Sequence, residues 1–227
     1  MRLSQFLKES ENVDLRAIKD FLLKEAPNNA NEIMNGAFIF RGVDNAREDD
    51  LLMTAEQGPL TFKLYGAEIP KKRVPKTTNS KIHGRLNDWL EEKYDSRYRE
   101  NSLFVTNDFS QARGYGNVLS LVFPGSDNVE WFYSPDIYDL WDVVSSSPTE
   151  EFDPDDTGEW SAEVVKRFME STKWELTTDV SQAYTRSGGE IMMHDASYSY
   201  YSLVVTNTGM RPVMSDMRDA AFMLRSA

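Results

Sequence analysis

The sequence predicts an α+β protein in which one β-sheet is flanked by helices. Short apolar segments bounded by turn-forming residues occur through the middle of the chain and indicate strands, whereas amphipathic segments near both ends indicate helices. The chain has 227 residues, 40% of them hydrophobic, which is enough for one globular body with its own core. We expect a single domain made of an N-terminal helical segment (1–35), a core (36–205) and a C-terminal helix (206–227).

The N-terminal part of the chain should hold helices first and strands afterwards. Two amphipathic helices are predicted over residues 4–26, a loop or short helix over 28–36, and strands over 37–42, 51–55 and 59–65. Asn12 is a candidate cap for the second helix, and Pro27 follows the end of that helix. The first strand is apolar until Arg41 and Gly42. A guanidinium at this position must reach water or pair with an anion.

A basic cluster interrupts an otherwise acidic chain. The formal net charge is −12, so the surface as a whole repels phosphates. The cluster consists of Lys71, Lys72, Arg73 and Lys76. It is either an anion-binding site or a solvated loop that balances nearby acids. A helix over 82–94 and a charged connector over 94–100 should follow it.

Residues 102–117 form the most informative stretch. An apolar strand over 103–105 leads into a polar turn that begins at Thr106, and one or two helical turns from Ser110 are closed by the glycines on either side of Tyr115. A strand that ends in hydroxyls and backbone N–H groups can form the wall of a ligand pocket. Taken alone, an ordinary strand, turn and helix is the simpler interpretation, because short motifs often match by chance.

The second half of the chain should complete the sheet. The predicted elements are a hairpin of strands 118–123 and 129–133, a helix from Ser134-Pro135 through Val144, an exposed acidic loop over 145–159, a helix capped by Ser161, a polar loop over 177–189 with a short helical turn near 180–184, strands over 190–194 and 198–205, and a helix over 217–224. We find no internal repeat in the sequence.

Composition excludes several kinds of chemistry. The chain has no cysteine and only two histidines, His83 and His194, so we expect neither thiolate catalysis nor a metal site. Any catalysis must rest on carboxylates, hydroxyls, arginines or a bound cofactor. No apolar run approaches the length of a membrane span, and the first residues lack the apolar centre of a signal peptide. We therefore expect a soluble cytoplasmic protein without a membrane partner.

Three features occur in a fixed order along the chain. Arg41 ends an early strand, the strand-exit hydroxyl of Thr106 precedes a short helix, and Glu190 begins a late strand. This order resembles that of the ADP-ribosyltransferase superfamily, in which arginine, serine/threonine and glutamate motifs lie on separate strands of one split β-sheet. The resemblance covers about residues 36–205.

Finer details of the sequence agree with this resemblance. The spacing of Phe104, Ser110 and Tyr115 is similar to the phenylalanine, serine and tyrosine pattern of poly-ADP-ribose polymerases. The sequence Ser-Gly-Gly-Glu-Ile-Met-Met at 187–193 resembles the strand opening that carries the catalytic glutamate of bacterial toxins. The basic cluster followed by a helix, Leu-Phe-Val-Thr and Tyr-Gly looks most like phage-encoded or prophage-encoded members.

The resemblance implies a role for each of these residues. NAD would be the substrate, without a metal: Arg41, with Gly42 beside it, would hold the pyrophosphate bidentately, and Glu190 would stabilise the oxocarbenium-like state formed as the nicotinamide bond breaks. Thr106 would brace the catalytic centre. Ser110 would form a polar wall, and Tyr115 would stack on the nicotinamide ring.

Two departures from the family pattern bear on the acceptor of ADP-ribose. Toxins that modify protein arginine or asparagine usually carry Glu or Gln two residues before the catalytic glutamate, where this chain has Gly188. The histidine of the polymerase-type triad is also absent from the first motif, where Arg41 stands. Gly188 disfavours an arginine-directed protein target, so the resemblance implies another acceptor in the bacterial host, a protein or a nucleic acid, or plain hydrolysis of NAD.

The resemblance also implies a biological setting and leaves alternatives. The enzyme would act in phage–host conflict as an effector or toxin in the host cytoplasm, with an antitoxin or inhibitor protein as a further partner. One alternative is a catalytically inactive module of the same fold that binds a protein or serves as a phage structural protein. Another is an NAD glycohydrolase, with water as the acceptor.

Overall fold

The computed structural model describes residues 13–43, 51–73, 80–140, 143, 161–208 and 213–227. The helices in these ranges are α1 (Leu15–Glu25), α2 (Pro27–Met34), α3 (Ser80–Tyr94), α4 (Tyr98–Asn101), α5 (Phe109–Gly114), α6 (Ala162–Ser171), α7 (Val180–Arg186) and α8 (Met214–Ser226). The strands are β1 (Phe40–Val43), β2 (Leu51–Gln57), β3 (Leu60–Glu68), β4 (Leu103–Thr106), β5 (Val118–Pro124), β6 (Val129–Tyr133), β7 (Glu175–Thr177), β8 (Glu190–Asp195) and β9 (Ser199–Asn207).

The nine strands form one open antiparallel sheet, in the order β2-β3-β9-β5-β1-β4-β8-β6-β7. The chain is therefore an α+β protein, as the sequence predicts. The sheet is weakest at its centre. In the described part of the chain, β1 and β4 pair only at Phe40 and Thr106, while Arg41, Gly42 and Val43 continue along β5. The strands beyond this junction are free to diverge into two halves.

Helices cover both faces of the sheet. The larger core packs α1, α2 and α8 against the strands, and the smaller core packs α3 and α6 against Phe132 and Met192. Leu15, Ile18 and Leu22 are buried on α1 at helical spacing, as the amphipathic pattern predicts. No helix within the described residues is both long and apolar enough to cross a membrane.

Helix caps explain several boundaries and correct others. Asp14 caps α1 by accepting a hydrogen bond from the Ala17 amide at 2.8 Å, and Asn12 lies outside the described residues. Pro27 begins α2 instead of only ending α1, which realises the short-helix alternative for 28–36. Ser161 caps α6 as predicted, its hydroxyl accepting from the Val164 amide at 3.2 Å. The short elements α4 and β7 lie in segments for which no element was predicted.

The predicted hairpin of 118–123 and 129–133 is wrong. Both strands exist, but β5 pairs with β1 and β9, whereas β6 pairs with β8 and β7. The turn between them carries the chain from one half of the sheet to the other. Distant residues hold it in place: the Gly125 amide donates to the Ser199 carbonyl at 3.0 Å, and the Ser126 amide donates to the Asp195 carboxylate at 3.0 Å.

The predicted helix start at Ser134-Pro135 is also wrong. Residues 135–138 are irregular, and helical structure in this region begins only at Leu140. The reason is that carbonyls of this loop bind a neighbouring segment: Ser134 accepts from the Gly188 amide at 2.8 Å, and Tyr138 accepts from the Glu190 amide at 3.0 Å. Three other predicted features lie outside the described residues, namely the helix before Asn12, Lys76 with the cap that follows it, and the acidic loop over 145–159.

A short internal repeat, which the sequence analysis missed, builds α5 and α7. Residues 106–112 and 177–183 share the pattern Thr-x-Asp-x-Ser-Gln-Ala. In each copy the aspartate caps the helix by accepting from the Ser and Gln amides, and the Thr hydroxyl both accepts from the Asp amide and donates to the Gln side chain. The copies also touch, because the Asn107 amide group donates to the carbonyls of Tyr184 and Ser187.

Gly42 allows α5 to lie directly on β1. A Cβ atom at Gly42 would lie 1.8 Å from the Ala112 carbonyl oxygen, a backbone atom that cannot move independently of the helix. Gly116 makes a similar approach to the backbone of Val43. These two glycines fix the distance between β1 and the turn that carries Thr106.

Gly42→Ala should therefore destabilise the protein by about 1–3 kcal/mol, because the methyl group forces α5 away from β1. Gly84→Ala is the matched control: Gly84 lies within α3, where a Cβ would meet no atom within 4 Å. That change should stabilise the helix by up to about 1 kcal/mol. Urea unfolding of both variants measures the difference, and equal stabilities would contradict the packing assigned to Gly42.

Candidate functional site

Glu190 lies at the centre of the sheet, beside the junction of its two halves. It is the first residue of β8 and pairs with Thr106, the β4 residue that meets β1. Its side chain is 13% exposed, and its Oε1 accepts a hydrogen bond from Arg99 Nη1 at 3.2 Å. Burial raises the pKa of the Glu190 carboxyl, and the charge of Arg99 opposes this rise. The net result is a raised pKa, and the ion pair with Arg99 limits the rise.

Arg99 lies on α4, and a contact with α3 fixes its position. Its side chain is 7% exposed, and its amide donates to the side-chain oxygen of Asn87, a fully buried residue of α3. The guanidinium lies 5.0 Å from the Phe104 ring centroid, and its Nε has no hydrogen-bond partner among the described residues. Arg99 thus reaches Glu190 from a fixed backbone and keeps a buried donor for a ligand.

Arg73 stacks on the same aromatic ring as Arg99. Its guanidinium lies 4.1 Å from the Phe104 centroid, and its amide donates to the Glu100 carbonyl at 2.9 Å. Burial lowers the pKa of Arg73, and the neighbouring charge of Arg99 lowers it further. The charges of Glu190 and Arg41 also act on this guanidinium. These four charged side chains are therefore close enough to interact, and the space that they surround is called the cleft.

Arg41 occupies the β1 side of this cleft. Its Nη1 donates to the Tyr200 hydroxyl at 2.6 Å, and the guanidinium lies 5.5 Å from the centroid of the same ring. Among the described residues, no carboxylate pairs with Arg41 or with Arg73. Two guanidinium charges in the cleft are thus available to an anionic ligand, on a chain whose net charge is −12.

The other candidate residues occupy the turn between β4 and β5. Thr106 is buried and hydrogen-bonded to Gln111, so it braces the start of α5. Ser110 is exposed, and its amide donates to the capping Asp108. Tyr115 is 50% exposed, and its hydroxyl donates to the Asp139 carboxylate. The charge interaction between Tyr115 and Arg73 places this ring at the same cleft, while Gly42 serves packing.

Sequence reasoning missed Arg99, Gln111 and Asp139. Arg99 lies on a helix of four residues, too short for a periodic pattern, and Glu190 follows it by 91 positions. Gln111 could have been found from the Thr-x-Asp-x-Ser-Gln-Ala repeat, because both copies use the glutamine in the same way. Asp139 falls in a segment predicted to be helical, and no local signal connects it to Glu190.

The two glycines before Glu190 have a steric cause. A Cβ at Gly188 would lie 2.8 Å from the Ile137 carbonyl oxygen and 2.9 Å from that of Pro135. A Cβ at Gly189 would lie 2.5 Å from the Tyr138 carbonyl oxygen. The irregular loop 135–138 therefore occupies the space that side chains would take. Position 188 cannot hold a glutamate or glutamine unless this backbone moves.

Comparisons of the chain with protein-family models, with curated proteins and with solved structures find no match. Within the described ranges, no three His, Asp or Glu side chains are grouped so that they could hold a metal ion. The groups that the site offers for chemistry are three arginines, a buried glutamate, a tyrosine and an aspartate.

Arg99→Met should raise the pKa of Glu190, because the nearby positive charge that favours the carboxylate is lost while the burial remains. NMR titration of the side-chain carboxyl carbon of Glu190 measures this pKa. Arg97→Met is the matched control, since Arg97 pairs with Asp88, Glu91 and Glu100 on the surface. An unchanged Glu190 titration in Arg99→Met would show that the ion pair does not set the ionisation of this group.

Proposed function

We propose that this chain is an NAD-dependent ADP-ribosyltransferase that transfers ADP-ribose to a macromolecule of a bacterial host. One observation carries the proposal: Arg41 and Glu190 lie on either side of the junction between the two halves of the sheet, and both act on the Arg73 guanidinium. A dinucleotide needs cationic groups for its phosphates and a carboxylate near its ribose, and this cleft offers both.

The arginines suit the pyrophosphate of NAD. Arg41 and Arg73 lack carboxylate partners in the described chain, so binding two phosphate charges costs them no existing ion pair. Planar guanidinium groups bind phosphate oxygens bidentately, which fixes orientation as well as charge. The Tyr200 hydroxyl holds Arg41 in place before the ligand arrives.

Glu190 suits the stabilisation of the oxocarbenium-like transition state. As the bond between the ribose C1′ and the nicotinamide nitrogen breaks, positive charge develops on the sugar, and a buried carboxylate stabilises it more strongly than an exposed one. Arg99 favours the ionised form of Glu190 against the effect of burial. The same carboxylate can accept a hydrogen bond from the ribose 2′-hydroxyl. Tyr115, half exposed at the cleft, can stack on the nicotinamide ring.

The single register pair between β1 and β4 agrees with the split sheet expected for this superfamily, as does the placement of the arginine, threonine and glutamate motifs on β1, β4 and β8. By the same resemblance, the enzyme would act in the cytoplasm of a bacterial host during phage–host conflict. The acidic surface favours a protein acceptor, whereas the basic cluster that contains Lys71, Lys72 and Arg73 favours a nucleic acid.

Glu190→Gln should reduce the release of nicotinamide from NAD and the transfer of ADP-ribose by about 100-fold or more, because the charge is lost with little change of volume. The assay incubates purified protein with labelled NAD and a bacterial lysate, divided into nuclease-treated and protease-treated halves. Glu56→Gln, an exposed position on β2, is the matched control and should retain full activity.

The distribution of label identifies the acceptor. Label that resists nuclease but not protease indicates a protein, and the reverse indicates a nucleic acid. Free ADP-ribose without labelled macromolecules indicates an NAD glycohydrolase. A wild-type protein without any Glu190-dependent turnover would contradict the enzyme and favour an inactive binding module.

Arg41→Ala should weaken NAD binding by about tenfold or more, since hydrogen bonds to charged groups contribute about 1.5–3 kcal/mol each. Isothermal titration calorimetry measures the affinity. Arg113→Ala, an exposed arginine on α5, is the control and should bind NAD as the wild type does. Equal affinities in the two variants would mean that Arg41 serves the fold alone.

A further inference from the structure

We propose that Asp139 is the general base that removes the proton from the acceptor nucleophile. The proposal rests on the transferase function proposed above, and it assigns the acceptor side of the cleft. The acceptor would then be a hydroxyl or amine, or water, that carries a proton and must lose it when it attacks.

The space around Gly188 is too small for a side chain. A glutamate or glutamine two residues before Glu190 would collide with the carbonyl oxygens of Pro135 and Ile137, 2.9 and 2.8 Å from the position of a Cβ. An acceptor-side group therefore cannot come from position 188. The loop 135–138 fills this place, and the carboxylate of Asp139 directly follows it in the chain.

Hydrogen bonds hold this loop beside Glu190. The Tyr138 carbonyl accepts from the Glu190 amide at 3.0 Å and from the Gln111 side-chain amide at 2.8 Å. The Ser134 carbonyl accepts from the Gly188 amide at 2.8 Å. Asp139 directly follows Tyr138, so β8 and α5 together fix its backbone.

The Asp139 carboxylate lies beside Tyr115. It accepts a hydrogen bond from the Tyr115 hydroxyl, and Tyr115 is the half-exposed residue at the mouth of the cleft. The charge of Asp139 also acts on Glu190, so the two carboxylates are neighbours with different surroundings. Glu190 is paired with Arg99 and nearly buried, whereas Asp139 is partly exposed and accepts from Tyr115.

The reaction balances with these two groups. The acceptor oxygen or nitrogen forms a bond to the ribose C1′ as the bond from C1′ to nicotinamide breaks, and the electron pair of that bond neutralises the pyridinium nitrogen. The acceptor proton passes to the Asp139 carboxylate and then to solvent. Glu190 exchanges no proton in this step. The products are the ADP-ribosylated acceptor, nicotinamide and one proton.

Azide provides the test, because this anion attacks without having to lose a proton. Asp139→Asn should slow nicotinamide release from NAD by about 100-fold or more, with water or lysate as the acceptor. Added sodium azide should restore release on the order of tenfold or more and yield ADP-ribosyl azide, detectable by mass spectrometry. Asp136→Asn, an exposed aspartate of the same loop, is the matched control and should behave as wild type.

The outcomes separate this proposal from the function on which it rests. If Glu190→Gln abolishes turnover but Asp139→Asn retains it, the transferase stands and Asp139 is not the base. If Asp139→Asn is inactive, folds normally by thermal melting and is not rescued by azide, the role of Asp139 is structural and the proposal fails. If the wild type itself does not consume NAD, both proposals fail together.

Discussion

The buried ion pair between Arg99 and Glu190 is the interaction on which the candidate site depends. Removing two charges from water is costly, and an ion pair offsets that cost only when its geometry is well fixed. Here the two partners come from separate parts of the fold: β8 places Glu190 beside the sheet junction, and Asn87 on α3 holds the backbone of Arg99. A charged contact at 3.2 Å thus joins α4 to the centre of the sheet, in addition to the packing of the smaller core on Phe132 and Met192.

The distribution of charge gives this contact its chemical meaning. A chain with a net charge of −12 repels anions over most of its surface, but Arg41, Arg73 and Arg99 share one cleft. Guanidinium groups that lie close together raise the local positive potential, which attracts an anionic ligand. Two of these guanidinium groups lie against the Phe104 ring. The Glu190 carboxylate, which is proposed to act on the ribose, and the guanidinium groups, which are proposed to bind the phosphates, then have opposite charges but lie close together.

Local sequence patterns predict the elements of this fold better than their partners. Short apolar runs and capping residues suffice for strands such as 190–194 and for the Ser161 cap, because both depend on neighbours within a few residues. The pairing of β5 with β9 depends on residues about 80 positions apart, so the short turn after Pro124 suggested a hairpin that does not form. Arg41 and Glu190 stood out because each charged side chain stands directly beside an apolar run. Arg99 had no such context, and its partner is 91 residues away.

The glycine pair before Glu190 links the fold to its chemistry. Gly188 and Gly189 let the carbonyls of 135–138 approach β8 closely, and the Glu190 amide is bound in return. A bulkier residue there would move the loop, the loop would move Asp139, and the hydrogen bond from Tyr115 would be lost. The hydrogen bonds between this loop and the start of β8 join backbone atoms. The proposed acceptor-side group, Asp139, can therefore change without disturbing the contact between Arg99 and Glu190. Under the proposed mechanism, Glu190 at the sheet junction stabilises the transition state, and the loop that leads to Asp139 serves the acceptor.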